Sequence, residues 1–195
     1  MSAVTAKRFT LNEYHRLGEW GFFGSDDRVE LIRGEIIQMP TKKTPHSVCN
    51  TRLVRVLIGL LSDRAIVRGQ EPVILPADSE PQPDVVIAQN RNDEYLSSHP
   101  EPADILLIIE ISDSTLSYDR GRKLSVYAED GIWDFWIFNL VDNWLEVYNE
   151  PYQDSQGRFG YRLKRIVLPN ETVGIPGFPD LSIDLSSVFP VQSDA

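Results

Sequence analysis

Cysteine is almost missing from this sequence: Cys49 stands alone. One thiol can form no intrachain disulfide and cannot build a thiolate zinc site. Histidine is scarce as well, and His15 and His99 show no ligand-like spacing. Long apolar runs are absent, since none approaches the roughly 20 residues that span a bilayer. The opening stretch, MSAVTAKRFTLNEYH, has basic residues with no apolar segment behind them, so it does not read as a secretory signal. A cytoplasmic protein without membrane attachment is the expectation. Positive charge is in the minority: 19 Lys and Arg against 29 Asp and Glu leave a net charge of −10. That argues against broad, non-specific nucleic-acid binding by one large basic face. It leaves room for local strips, of which Arg120, Arg122, Lys123 and Arg52, Arg55 (with Lys42 and Lys43 nearby) are the best; each reads first as solvated surface. A Gly-rich phosphate cradle and a GxSxG elbow are both missing, so Ser112 and Ser114 do not stand out as nucleophiles.

The chain is otherwise ordinary for a globular protein, with 42% hydrophobic and 25% charged residues. Its 195 residues suit one domain, 1–195. Thr10 followed by Glu13 is a capping box for a short helix through about Trp20. VELIRGEIIQM predicts two short strands turning at Arg33-Gly34, with Glu30 and Ile32 on one face and Val29 and Leu31 on the other. Pro45 opens a helix to about Asp63, with an apolar stripe of Leu53, Leu57, Leu60 and Leu61. AIVRGQEPVIL, a proline-rich link and DVVIA follow. Residues 90–103 read as an excursion. DILLIIEI is apolar on both faces, as a central strand of a doubly covered sheet requires. A helix is expected over Tyr118 to Asp130, closed by Gly131. WDFWIFNL and NWLEVYN pair around Asp142-Asn143, and GRFGYRLKRIVL adds a strand. The tail, IPGFPDLSIDLSSVF, is expected to pack on the outside. The order of elements indicates a mixed α/β domain: a central sheet flanked by helices, with an N-terminal helix and hairpin.

Four polar residues lie in or beside the apolar runs: Glu30, Asp84, Glu110 and Lys123. A carboxylate buried in a sheet is costly unless something pairs with it. A hard divalent cation prefers such oxygen ligands. Asp84, stiffened by Pro81 and Pro83, and Glu110 at the end of the most apolar strand could clamp one Mg²⁺, with the Ile111 carbonyl as a third ligand. A water acidified by that metal would be the nucleophile. Asp119, Lys123 and Tyr127, spaced i, i+4, i+8, share one helix face, from which the ammonium could stabilise charge on a phosphate. The bland alternative is an Asp119–Lys123 surface pair and two solvated acids. Gln70 and Glu71 are further candidates for the pocket. His46 suits a phosphate or a place beside a helix cap. Tyr118, Trp133 and Trp136 read as core or interface.

The chain resembles the Uma2 family, a former domain of unknown function often labelled a restriction endonuclease, within the PD-(D/E)xK nuclease superfamily. The resemblance rests on LNEYHRL, VELIRGEIIQM, PHS, QPDVVIA, IIEISDSTLSYDRGRKLSVYAEDGIWDFWIFNL, LEVY and PGFPDLSIDLSSVF, nearly the whole chain. Pro83-Asp84 matches the PD element and Glu110 the second acid. The superfamily lysine two residues on is replaced by Ser112, as is usual in this family, and Lys123 is the migrated lysine. Glu30 matches the acid of the N-terminal hairpin, an extra metal ligand. Asp113 departs from a common proline and Asp134 from a common glutamate. The resemblance implies a restriction-endonuclease-like core and Mg²⁺- or Mn²⁺-dependent hydrolysis of DNA by a metal-activated water. It implies a homodimer as well. The alternative is a catalytically silent protein of the same fold that binds nucleic acid or protein, in which Glu110 and Lys123 simply pair.

Overall fold

Thr10 caps the first helix as expected. Its hydroxyl accepts from the Glu13 N–H (3.2 Å), and the Glu13 carboxylate accepts from the Thr10 N–H (2.9 Å). The helix it caps is α1 (Leu11–Glu19). The computed structural model describes residues 5–190. Next comes an antiparallel hairpin, β1 (Val29–Ile32) and β2 (Glu35–Gln38), then α2 (Thr44–Leu61). A six-stranded sheet follows: β3 (Ala65–Gly69), β4 (Val85–Gln89), β5 (Ile105–Ser112), β6 (Asp134–Asn139), β7 (Trp144–Gln153) and β8 (Phe159–Val167), hydrogen-bonded in chain order. Only β5 and β6 are parallel. A parallel pair needs a crossover. Here it is the helical segment α3 (Leu116–Tyr118), a π-helical turn (Asp119–Lys123) and α4 (Leu124–Glu129).

The sheet is covered on both faces, which is why β5 is almost wholly apolar. On one face, Cys49, Leu53, Leu57 and Leu61 of α2 pack with Val85, Leu107, Ile109 and Phe138. Leu60 lies half-buried at the margin of that stripe and Ile58 is exposed. On the other face, Val126 and Tyr127 of α4 pack with Ile32, Val86, Ile108, Phe135 and Ile137.

Three expectations are corrected. The tail does not lie outside. β9 (Thr172–Ile175) and β10 (Phe178–Asp184) form a hairpin whose Val173, Ile175, Phe178 and Ile183, with Leu185, Val188 and Phe189, join the core beside α2. One helix is too narrow to cover that side of a six-stranded sheet, and the hairpin covers the remainder. The strand in AIVRGQEPVIL stops at Gly69, because Gln70 has a positive φ of 59° and Pro72 offers no N–H. The helix after β5 starts at Leu116 rather than Tyr118 and contains the π turn. No helix among the described residues is long and apolar enough to cross a membrane.

The β1–β2 turn fixes the hairpin against the rest of the molecule. Arg33 and Gly34 both take positive φ, 48° and 71°, as a tight hairpin turn requires. The Gly34 carbonyl accepts from the Phe9 N–H (2.8 Å), and its own N–H donates to the Asp78 carbonyl (2.9 Å). A Cβ at Gly34 would lie 2.8 Å from the Phe9 carbonyl oxygen. Gly34→Ala should therefore cost about 2 kcal/mol of stability. Gly59, in the interior of α2 with nothing within 4 Å of a new Cβ, should gain about 0.5–1 kcal/mol on change to Ala. Denaturant midpoints of the two variants should move in opposite directions; equal shifts would contradict the docked turn.

Candidate active site

Asp84 is the last residue before β4. Because Val85 pairs with Ile109 in an antiparallel register, Asp84 comes one step further on, beside Glu110. Pro81 and Pro83 stiffen the approach. Asp84 is buried (7% exposed). Its Oδ2 accepts from the Ile111 backbone N–H (3.0 Å) and meets His46 Nε2 at 3.0 Å, and its Oδ1 accepts from Lys42 Nζ (3.1 Å). Burial opposes the charge, but the His46 contact, then the Lys42 ammonium and the Ile111 N–H outweigh it and lower the pKa to about 2.

Glu110 sits in β5 at 3% exposure. Its Oε1 accepts from Lys123 Nζ (2.9 Å) and from the Tyr127 hydroxyl (2.7 Å). Burial, helped by the charges of Asp119 and Asp84, pushes its pKa up, and the Lys123 ammonium opposes that shift and favours the carboxylate. Glu30 reaches the same ammonium from the hairpin, Oε2 to Nζ at 3.2 Å. It also accepts from the Gln82 N–H (3.1 Å) and the Tyr118 hydroxyl (3.1 Å). Burial works against the charge on Lys123, but Glu110, Glu30 and Asp119 overcome it and hold its pKa well above the ordinary lysine value. Asp119 Oδ2 accepts from Ser112 Oγ and Thr115 Oγ1, both at 2.7 Å.

Glu30, Asp84, Glu110, Ile111 and Lys123 all line one cavity of about 250 Å³. The four polar residues singled out in the sequence thus come together from four separate segments. The bland pairing of Asp119 with Lys123 does not occur: among the described residues, Lys123 bridges only to Glu30 and Glu110. The Arg120, Arg122, Lys123 strip is not a solvated surface. The π turn sends Arg120 to Glu146 and Asp142, Arg122 to Glu35 and the Ile32 carbonyl, and Lys123 into the cavity. Tyr118 belongs to the cavity rather than the core, and Trp133 is exposed while Trp136 is buried. Gln70 and Glu71 do not line it. Lys42, His46, Gln82 and Asp119 do. His46 is tied to Asp84 rather than left open to a phosphate, and Gln82 carries no signal beyond its place in PQPD.

The donor set is hard: two carboxylates on adjacent strands, a third from the hairpin, and a strand carbonyl. Mg²⁺ is commonly held by one or two carboxylates and water, so Asp84 and Glu110 with Ile111 fit it in kind. Among the described residues, no three His, Cys, Asp or Glu side chains are grouped closely enough to hold a metal by themselves. Each of these acids accepts from ammonium, hydroxyl or N–H donors of the protein.

The family model described as "Uma2: Putative restriction endonuclease" matches residues 11–186. A crystal structure described as a putative nuclease belonging to DUF820 from Anabaena variabilis ATCC 29413 shares the fold, with a TM-score of 0.70 at 17% identity over 93% of this chain and 97% of that one. No curated protein matches.

Two outcomes follow from the buried charges. Lys123→Met leaves Glu30 and Glu110 without their cation and should cost about 3–5 kcal/mol. Adding Glu110→Gln should recover part of that loss in thermal unfolding, and strictly additive losses would contradict the pair. Asp84 has its pKa lowered from 3.8 to about 2, so its stabilisation is whole above about pH 4 and is lost as pH falls toward 2. In chelator-treated samples, the stability advantage of the native chain over Asp84→Asn should shrink across that window. Denaturation curves that stay parallel from pH 6 to 2.5 would contradict the assignment.

Proposed function

The chain belongs to the Uma2 family, and from that premise we propose that it is a metal-dependent endonuclease hydrolysing DNA phosphodiester bonds. The observation that carries the reading is the meeting of Glu30, Asp84, Glu110 and Lys123 at one cavity. Asp84 and Glu110, with the Ile111 carbonyl and with Glu30 as an additional ligand, would hold Mg²⁺ or Mn²⁺. The cation would supply Lewis acidity and an acidified water as nucleophile. Lys123 remains an ammonium beside these acids, so it is a hydrogen-bond donor. It would stabilise negative charge growing on the phosphate rather than remove a proton. Tyr127 and Glu30 hold that side of the cavity in place: the Tyr127 hydroxyl orients Glu110, and the Glu30 carboxylate steadies the Lys123 ammonium.

The net charge of −10 confines DNA contact to the local basic groups at the cavity, among them Arg28, Lys42 and Lys43. A homodimer of single-domain subunits belongs to the same proposal. Trp20, Phe22, Leu96 and Trp133 are exposed large apolar residues available to an interface.

A second reading, a catalytically silent interaction module of this fold, is favoured by one observation. Glu110 and Lys123 pair directly with each other at 2.9 Å. The two readings separate in one assay. Supercoiled and linear DNA are incubated with Mg²⁺ or Mn²⁺ and the native chain, Asp84→Asn or Lys123→Met, with folding of each checked by thermal unfolding. The nuclease reading expects cleavage by the native chain and a loss of about 100-fold or more in either folded variant. Absence of cleavage together with absence of calorimetric Mn²⁺ binding would leave the silent module.

A further inference from the structure

The two oxygens of Asp84 are held differently. Oδ2 is tied to the Ile111 N–H of β5 and to His46 of α2, both on regular elements. Oδ1 has one partner, the Lys42 ammonium at 3.1 Å. Lys42 lies on the irregular segment between β2 and α2, and its side chain keeps 20% of its surface exposed. Its four-carbon stem can swing to water at little cost, whereas the Ile111 N–H cannot leave without breaking the strand end. Oδ1 is therefore the oxygen of Asp84 that can be released into the cavity, and Lys42 is what covers it.

We propose that Lys42 is a built-in competitor for the cation position at Asp84: its ammonium covers the carboxylate oxygen that a divalent cation would take, and cation entry requires it to leave. The inference rests on the metal reading of the site given above. Two like-signed charges cannot share that oxygen at hydrogen-bond distance, so occupancy by one expels the other. The neighbouring Lys43 provides an internal control. It has the same charge and lines the same cavity, but it pairs with Asp113 at 3.4 Å and is 65% exposed.

The test is calorimetric titration of Mn²⁺ into the chelator-treated full chain, its folding checked by thermal unfolding. Lys42→Met and Lys42→Gln should bind Mn²⁺ about fivefold tighter than the native chain, or more, the equivalent of one ion pair. Lys42→Arg, which keeps a cation there, should stay near the native affinity, and Lys43→Met should change it by less than about twofold, as befits an exposed pair. Tighter binding in the two neutral Lys42 variants alone supports the competitor role, including the case in which only they bind measurably. Native Mn²⁺ binding that neither neutral Lys42 variant improves overturns this inference and leaves the metal reading standing. An equal gain from Lys43→Met overturns it in favour of a net-charge effect. Failure of every form to bind Mn²⁺ overturns the metal reading and the competitor role together.

Discussion

A lysine ammonium buried between two carboxylates organises this molecule. Lys123 is 5% exposed, Glu110 3% and Glu30 1%. Each charge would be costly alone in that setting, and together they are tolerable only if all three segments that carry them stay in place. The constraint therefore reaches well beyond the cavity. It ties the hairpin to the crossover helix and the crossover helix to the central strand. It also accounts for the supporting bonds from Tyr118 and the Gln82 N–H to Glu30, and from Tyr127 to Glu110.

The π turn is how one short segment meets these demands. Arg120, Arg122 and Lys123 lie within five consecutive residues and are each directed to a different set of partners. Arg120 is anchored on the fully buried Glu146 of β7, which also accepts from Asn139, Trp144, Tyr148 and Lys164. Arg122 grips Glu35 on the hairpin. Ile137 of β6 is registered between Glu110 and Glu146, so the two acids stand in one cross-strand row on the face that the crossover covers. The turn is pinned at both ends of that row, and Lys123 has little freedom left. π turns of this kind are frequent where a helix must aim a functional side chain.

The opposite wall is held more loosely. Asp84 is fixed by a strand N–H and by His46, but its remaining oxygen is covered by a lysine from an irregular segment. The cavity thus joins a rigid charged wall, made of sheet and helix, to one whose charge can move. Acids of this density need cations from somewhere, and in the conformation described they come from the protein's own lysines.

Much of this was legible in the sequence. The Thr10–Glu13 box, the Arg33-Gly34 turn, the Leu53 to Leu61 stripe and the doubly apolar Ile105–Ser112 strand follow from local chemistry and periodicity, and they appear where those rules put them. The four candidate residues were visible because charge inside an apolar run is conspicuous. What the sequence could not supply was the partner of each charge. Lys42 and Asp84 are tied across 42 residues, Glu30 and Tyr118 across 88, and Arg120 and Glu146 across 26. Such contacts depend on register, on the extra residue in the π turn and on the folding back of the tail, none of which leaves a local pattern. Composition and periodicity by themselves determined most of the elements, their order and the identity of the misplaced charges, but not the tail hairpin or the π turn. Tertiary structure alone decided which charges neutralise one another, because pairing in a low-dielectric interior is set by distances between segments far apart in the chain.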